Sequence, residues 1–461
     1  MTETLCMRGL MLLQCLLLAS LAPVVSGAED APQRPNIIFI FADDWGWGDL
    51  SCHGNEHYLT PNIDRMAEHG TDFHQFTVAS PVCSPSRAAI MTGHFPARHS
   101  IHRHFASVNH NTKTDMPDWL DPQVVMLPRL LQQAGYRTAH FGKWHLTNRS
   151  ISDAPTPQAY GYDESQVFNG PGPQIDTQPS ATVGQAIEFM RRTQSQPFFI
   201  NLWLHETHLP HFPQEEFIKR FGHLPEGQRE YAAVLADADH WVGRLLDTVD
   251  ELNLSANTLI VFSSDNGPAG TGDRRLHKPG SDDGGLGNYY SRGETAGLRG
   301  QKAWLAEGGV RVPFLVYWPG RVPAKRIDNE TVINGVDVLP TFCAVAQVPL
   351  PEDYVSDGEN MLPAFLGEVQ QRTKPLFYEW PPGGKPDKNW MTHAVRDGRW
   401  KLLASKDRFE LYDIIADRTE ATDLAAEHPE EVTRLKGMLE EWRATLPESE
   451  PSHCFSSLRK E

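Results

Sequence analysis

Pro35-Asn36-Ile37-Ile38-Phe39-Ile40-Phe41-Ala42 is apolar at nearly every position, ends on Asp43-Asp44 and runs into the turn-rich Trp45-Gly46-Trp47-Gly48-Asp49. A run without polar alternation predicts a strand buried on both faces, as in the interior of a parallel sheet. Similar runs recur at residues 197–204, 258–263 and 312–318. Between them lie amphipathic stretches at 62–68, 127–134 and 231–252, the last with Val234, Leu235, Ala238, Trp241, Val242 and Leu245 at helical spacing. Strands alternating with helices predict an α/β fold, a large, wound, mostly parallel sheet flanked by helices. From about residue 375 the pattern changes. Residues 393–403 read as a hairpin turning on Asp397-Gly398, 409–413 as another strand and 429–446 as a closing amphipathic helix. The expected organisation is a main domain over 28–370 and a small C-terminal antiparallel sheet-and-helix subdomain over 371–461.

A chain of 461 residues that is 40% hydrophobic can bury a large core. Asp and Glu outnumber Lys and Arg by 59 to 42, giving a formal net charge of -17. Such a balance disfavours nucleic acid and anionic membranes as partners. Residues 10–25 are strongly apolar, preceded by Arg8 and followed by Val25-Ser26-Gly27-Ala28. Residues 1–27 therefore read as a secretory signal peptide, and the mature chain as exported to a periplasmic, extracellular or lumenal compartment. Cys15 does not read as a lipidation site, because Leu12-Leu13-Gln14 lacks the small residue expected just ahead of one. No later stretch is long and apolar enough for stable membrane insertion. Four cysteines follow the leader, Cys52, Cys83, Cys343 and Cys454, at spacings that match no zinc pattern. If Cys83 is chemically converted, at most one disulfide can form. Residues 147–180 and 267–300, rich in Gly, Pro and polar side chains, read as long loops that wall a cleft.

In wound sheets, functional groups collect past the carboxyl ends of the strands. Asp43-Asp44 follows the first apolar run and Asp265-Asn266 follows the run at 258–263. Together they make an all-oxygen donor set, which selects calcium or magnesium over zinc or copper, and calcium tolerates irregular loop geometry better. A lone Asp-Asp pair is more often a solvated turn or a helix cap, and it is the second pair at a matching strand end that favours a metal. Residues 83–93, Cys-Ser-Pro-Ser-Arg-Ala-Ala-Ile-Met-Thr-Gly, hold Cys83, Pro85 and Arg87 at alternate positions. By residue type alone, Cys83 is a buried free cysteine ahead of a helix.

Residues 83–93 resemble the signature of the type I sulfatases, the formylglycine-dependent arylsulfatase family of the alkaline-phosphatase-like superfamily. The likeness extends to other segments. Residues 41–49 resemble the family's first metal-binding segment, Gly142-Lys143-Trp144-His145-Leu146 its second signature, and Ser264-Asp265-Asn266-Gly267 its second metal segment. Lys302, followed by Glu307-Gly308-Gly309-Val310-Arg311-Val312-Pro313, resembles the segment that supplies a sulfate-binding lysine. The resemblance implies that Cys83 is oxidised after synthesis to formylglycine by a formylglycine-generating enzyme. Hydrated, that aldehyde carries two hydroxyls on one carbon, of which one attacks sulfur and the other later expels the sulfate.

The resemblance further implies that Asp43, Asp44, Asp265 and Asn266 hold Ca2+, with Mg2+ the lesser candidate. It makes Arg87 a support for the hydrated aldehyde, Lys143 and Lys302 clamps on sulfate oxygens, His145 a contact to the formylglycine hydroxyl, and His208 the histidine beside the leaving oxygen. By residue type alone, Lys143 is equally a surface lysine, His145 a satisfied core histidine, and His205 or His211 could stand in for His208. Two departures from the family pattern concern the cleft wall. Thr147 stands where a glycine often follows, and the 267–300 loop has its own composition, with Arg274, Arg275, His277 and Lys278 able to grip a carboxylate or a second sulfate. The implied activity is hydrolysis of a sulfate monoester, arylsulfatase-type, on a saccharide such as an N-acetylhexosamine 6-sulfate. Two alternatives stand beside it: a phosphoester or phosphonate hydrolase of the same superfamily, and a non-catalytic protein that binds sulfated glycans.

Overall fold

A computed structural model describes residues 34–270, 286–287, 290–381 and 390–459. The leader at 1–27, with Cys6 and Cys15, and the basic residues Arg274, Arg275, His277 and Lys278 lie outside the described residues.

The first apolar run is strand β1 (Asn36–Ala42), buried at every position. Its side chains alternate between two cores. Ile37, Phe39 and Phe41 face one and Ile38, Ile40 and Ala42 the other, as the two-residue period of a strand requires. The remaining strands are, in chain order, β2 (Thr71–Phe73), β3 (Phe76–Thr77), β4 (Arg137–Lys143), β5 (Glu164–Phe168), β6 (Phe198–Trp203), β7 (Thr258–Ser264), β8 (Phe314–Tyr317), β9 (Arg326–Asp328), β10 (Ile333–Asn334), β11 (Leu376–Glu379), β12 (His393–Asp397), β13 (Trp400–Ala404) and β14 (Phe409–Asp413).

Eight strands form the main sheet in the order β5-β4-β6-β1-β7-β8-β2-β9, with β3 and β10 paired separately. The five strands from β5 to β7 run parallel, β7–β8 and β2–β8 pair antiparallel, and β2–β9 is parallel again. The sheet is thus mixed but mostly parallel, the α/β fold expected. Helices Pro61–His69, Pro179–Thr193 and Gln228–Glu251 cover one face, and helices Cys83–Thr92 and Val338–Val345 the other.

Strands β11 to β14 form the small antiparallel sheet, with helix Pro429–Arg443 packed on it. Gly398 takes the positive φ of 58° that the β12–β13 turn needs. Leu376, Phe377, Leu402 and Trp442 belong to the same core as Phe39 and Phe41, so the small sheet shares a hydrophobic interior with the large one.

The segment 147–180, read above as a loop, contains β5. Glu164, Gln166 and Phe168 are only half-buried, so this edge strand lacks the continuous apolar run that marks an interior one. Cys52, Cys83, Cys343 and Cys454 are all free thiols, Cys52 exposed and the others buried. No described helix is long and apolar enough to cross a membrane.

Candidate active site

β1 and β7 are neighbours in register, with Ala42 opposite Ser264, so the two acidic pairs leave adjacent strands side by side. The Asp265 amide donates to the Ala42 carbonyl at 3.1 Å and the Asp44 amide to Asp265 Oδ1 at 3.2 Å. Asp44 adopts a left-handed φ of 65°, a conformation that Asp tolerates better than most residues. Gly267 lets the β7 end approach the chain closely, because a Cβ there would meet the Gly308 carbonyl oxygen at 1.9 Å.

Cys83 opens helix Cys83–Thr92, and Arg87 lies one turn on. Spacing i, i+4 puts both on one helix face, and Pro85 is tolerated because the first turn has no intrahelical N–H bonds to lose. The Cys83 thiol donates to Asp43 Oδ1 at 3.6 Å and accepts from Lys143 Nζ at 3.4 Å. Burial first, then Asp265, pushes this thiol up to about 12. Arg87 is fully buried. Its Nη2 donates to Asp265 Oδ2 at 2.6 Å and stands 3.6 Å from Asp43, with the guanidinium over the rings of Trp203 and Phe41.

Lys143 ends β4, and Gly142 just before it has a φ of 107° where a Cβ would strike the Trp203 carbonyl at 1.9 Å. Only glycine lets β4 bend there, turning Lys143 onto Asp43, with which it forms a buried ion pair. Burial is the largest single influence and would lower the Lys143 ammonium, but Asp43, Cys83 and Asp265 together hold the group above its ordinary value. Lys302 reaches Asp44 Oδ1 at 2.6 Å and is raised in the same way, burial opposing and Asp44, Cys83, Asp43 and Asp265 together prevailing.

The turn after β6 carries His205 and His208 and is bonded to the acidic strand end. The Thr207 amide donates to the Asp43 carbonyl at 2.6 Å, and Trp45 Nε1 to the Glu206 carbonyl at 2.6 Å. His208 Nδ1 donates to the Leu209 carbonyl at 2.6 Å and His205 Nε2 to the Pro210 carbonyl at 3.1 Å. Each bond fixes a tautomer and leaves the other ring nitrogen as an acceptor when the ring is neutral. Burial and then Lys143 push His205 down to about 3, and the same two causes in that order, with Lys302 next, drive His208 well below its ordinary range. His211 is turned away, with Nε2 on the Thr207 carbonyl and its ring beside Tyr231.

His145, at a left-handed φ of 52°, places Nε2 against the Phe105 carbonyl at 2.9 Å, while Nδ1 has no partner. Thr147 is buried with its hydroxyl donated to the Asp118 carbonyl. The ten residues singled out in sequence thus converge on one region. His104 was missed there. Its ring lies 6.4 Å from that of His145, and it belongs to no quoted motif, only to the triplet His102-Arg103-His104.

Ligating atoms of Asp43, Asp44, Cys83 and Asp265 lie within 4.8 Å of one another. Asn266 donates Nδ2 to Asp44 at 2.7 Å, while its buried Oδ1 accepts no hydrogen bond. Three buried carboxylates and an unpartnered amide oxygen fit a hard divalent cation.

A family model described as Sulfatase matches residues 35–348, and one described as N-sulphoglucosamine sulphohydrolase, C-terminal, matches residues 299–445. N-acetylgalactosamine-6-sulfatase of Canis lupus familiaris is 33% identical over 402 residues, 78% of this chain and 72% of that protein. Arylsulfatase A of Homo sapiens is 31% identical over 412 residues, 80% and 74% of the two chains. Among solved structures, Ps i-CgsB in complex with k-i-k-neocarrahexaose superposes with a TM-score of 0.76 at 27% identity, over 92% of this chain and 96% of that one. With the family model spanning well over half its length, and relatives above 30% identity over more than two thirds of both chains, this chain belongs to the sulfatase family of enzymes.

Proposed function

We propose that the protein cleaves sulfate monoesters on a carbohydrate through formylglycine formed at position 83, as an exported enzyme matured by a formylglycine-generating enzyme. The observation that carries this is the position of Cys83. It opens a buried helix, with Asp43 past the end of β1 and Lys143 at the end of β4 in contact with its thiol and Arg87 one turn on beside Asp43. The carbohydrate is supported by the relatives, one an N-acetylgalactosamine-6-sulfatase and another solved with a carrageenan-type hexasaccharide.

Asp43, Asp44, Asp265 and Asn266 would hold Ca2+. When bound, the ion would draw charge from the sulfate oxygens. Lys143 and Lys302 place two ammonium groups where those oxygens gather negative charge, inside a site from which water is largely excluded. Arg87 holds position 83 and the acidic strand ends in one rigid arrangement. The hydrated aldehyde needs two oxygens on one carbon. One forms the O–S bond as the S–O bond to the sugar breaks and the sugar oxygen takes a proton. The other then gives up its proton and re-forms the carbonyl, releasing sulfate. His205 and His208 stand at the mouth of this arrangement, on the turn bonded to Asp43, where a proton must reach the leaving oxygen.

The test joins mass spectrometry of the peptide spanning position 83 to turnover of nitrophenyl sulfate and nitrophenyl phosphate. A formylglycine mass with sulfate turnover is expected. A plain thiol without turnover would leave a glycan-binding protein, and preference for the phosphate ester a phosphohydrolase.

A further inference from the structure

Beside the catalytic centre, three cations stand with no acidic ion-pair partner among the described residues. Arg103 is half-buried, with its guanidinium 4.3 Å over the Trp380 ring, Nη1 donated to the Pro381 carbonyl, and Nε making no hydrogen bond. Lys113 and Arg443 are exposed. All three line one cleft of about 640 Å³, with His102, His110 and His393. Two carboxylates share the cleft. Glu379 is engaged, Oε1 by His102 Nδ1 at 2.5 Å and Oε2 facing His393 Nε2 at 3.6 Å, which leaves Asp115 as the uncommitted one. Two polar atoms in the cleft wall, Arg103 Nε and His110 Nε2, are buried without a partner. In a chain where acids outnumber bases by 59 to 42, a local surplus of unpaired cations is a departure from the general surface.

The cleft is joined to the centre by a shared wall. Residues 102–105 form one short segment. His102 and Arg103 line the cleft, while the Phe105 carbonyl bonds His145 at 2.9 Å. His104 bridges the two, its ring 5.1 Å from His110 on the cleft side and 6.4 Å from His145 on the catalytic side. The volume falls within the range of small-ligand pockets, about 300–1,000 Å³.

We propose that this cleft receives an anionic substituent, sulfate or carboxylate, on a sugar neighbouring the one that is desulfated, so that the preferred substrate is an oligosaccharide carrying at least two anionic groups. The inference rests on the carbohydrate sulfatase activity proposed above and narrows its substrate class.

The test uses the exposed pair, whose reversal threatens neither core nor catalytic groups. Lys113→Glu/Arg443→Glu is made in the full chain, both alone and on a Cys83→Ala background that cannot turn substrate over. Binding to the Cys83→Ala proteins is measured by calorimetry for two tetrasaccharides, one with sulfate and carboxylate (chondroitin 6-sulfate) and one with sulfate only (carrageenan). Two attractions turned to repulsions should weaken binding by about 10-fold, since exposed charge pairs contribute up to about 1 kcal/mol each. A loss with the chondroitin probe alone assigns the carboxylate, and a loss with both assigns sulfate. Unchanged affinity for both overturns the proposal. In the active background, kcat/KM for nitrophenyl sulfate should stay within about twofold of the parent, and a loss as large as that for the oligosaccharides would overturn a role specific to the neighbouring sugar. If the parent lacks sulfate turnover, the reading of position 83 fails, while the binding comparison still decides the cleft.

Discussion

Arg87 Nη2 donates to Asp265 Oδ2 at 2.6 Å, with both side chains wholly inaccessible to solvent. This bond ties the helix that begins at Cys83 to the strand end that carries half of the oxygen donors. Isolated, each charge would be costly to bury. Together, with Asp43 at 3.6 Å and two aromatic faces on the guanidinium, they make a rigid frame for position 83.

Arg87→Ala should therefore fail in two measurable ways. It removes the buried guanidinium bonded to Asp265, a loss of about 3–5 kcal/mol in urea unfolding. It should also remove sulfate turnover. Arg87→Lys keeps the charge but not the planar fork or the stacking, and should retain more stability than Arg87→Ala while losing about 10- to 100-fold in kcat/KM. Because Arg87 lies in the segment the maturation enzyme would read, the mass at position 83 must be taken for each variant. An unconverted thiol assigns the loss to maturation, a formylglycine to catalysis.

The donor set predicts how the protein responds to metal removal. Asp44→Asn removes a negative charge that a hard cation needs and that Lys302 also contacts at 2.6 Å. Bound calcium, measured by elemental analysis, should fall, and activity with it. Thorough chelation of the parent should inactivate it, and calcium should restore it better than zinc. Full activity in protein shown to be metal-free would rule out the metal site.

A second buried charge network tests how the small sheet supports the site. Lys401 on β13 pairs with Glu307 at 2.7 Å and Glu420 at 2.9 Å, and Glu307 also accepts from Arg311 at 2.6 Å. Glu307 begins the short helix whose Gly308 and Gly309 pack against the end of β7. Burial opposes its ionisation, but Arg311 and then Lys401 hold its carboxyl far below the usual range. A carboxyl depressed in the folded state contributes stability that is present above the unfolded value, about 4.3, and is lost as pH falls below it. Lys401→Met should cost about 3–5 kcal/mol at pH 7. The difference from the parent should shrink at pH 4 and below, where Glu307 in the unfolded chain is protonated. Equal cost at pH 7 and pH 3.5 would show that packing, not charge, is what Lys401 supplies.

How much of this could be read beforehand follows from burial. β1, β6, β7 and β8 were legible because strands covered on both faces show unbroken apolar runs. β4 was not, since Arg137-Thr138-Ala139-His140-Phe141-Gly142-Lys143 alternates apolar with polar. Thr138 is bonded internally to Asp163 and Gly161 and His140 Nε2 to the Lys143 carbonyl, while His140 Nδ1 is buried without a partner. The acidic strand ends were legible because position after a buried strand implies a place at the sheet's carboxyl edge. The histidines were not separable by residue type, and only the family resemblance set His208 ahead of its neighbours. Which of His205, His208 and His211 faces the centre depends on carbonyl partners within a seven-residue turn, and no residue pattern encodes that. His104 escaped notice for a related reason, since only the folding back of the 102–105 segment brings it to His145.

His208 carries the remaining prediction. Its Nδ1 is committed to the Leu209 carbonyl, so Nε2 is the atom that can exchange a proton. Burial, Lys143 and Lys302 together keep the free protein's imidazole neutral near pH 7. An anionic sulfate ester lying between the two lysines would offset their charge and raise the basicity of the ring, so that the proton arrives with the substrate. A sugar alkoxide is a poor leaving group that needs this proton, whereas nitrophenolate spreads its charge and does not. General-acid catalysis contributes on the order of 100- to 10,000-fold where the leaving group demands it. His208→Ala should therefore cripple hydrolysis of a sugar sulfate while sparing much of the turnover of nitrophenyl sulfate, provided cleavage limits both. If His208 served only to bind sulfate, both substrates would suffer alike in kcat/KM. His205 is the internal control, because its ligating nitrogen lies within 4.8 Å of an Asp43 carboxylate oxygen and of a ring nitrogen of His208, and its Nε2 is held by the Pro210 carbonyl. A selective loss confined to His205→Ala would move the proton donor to that ring.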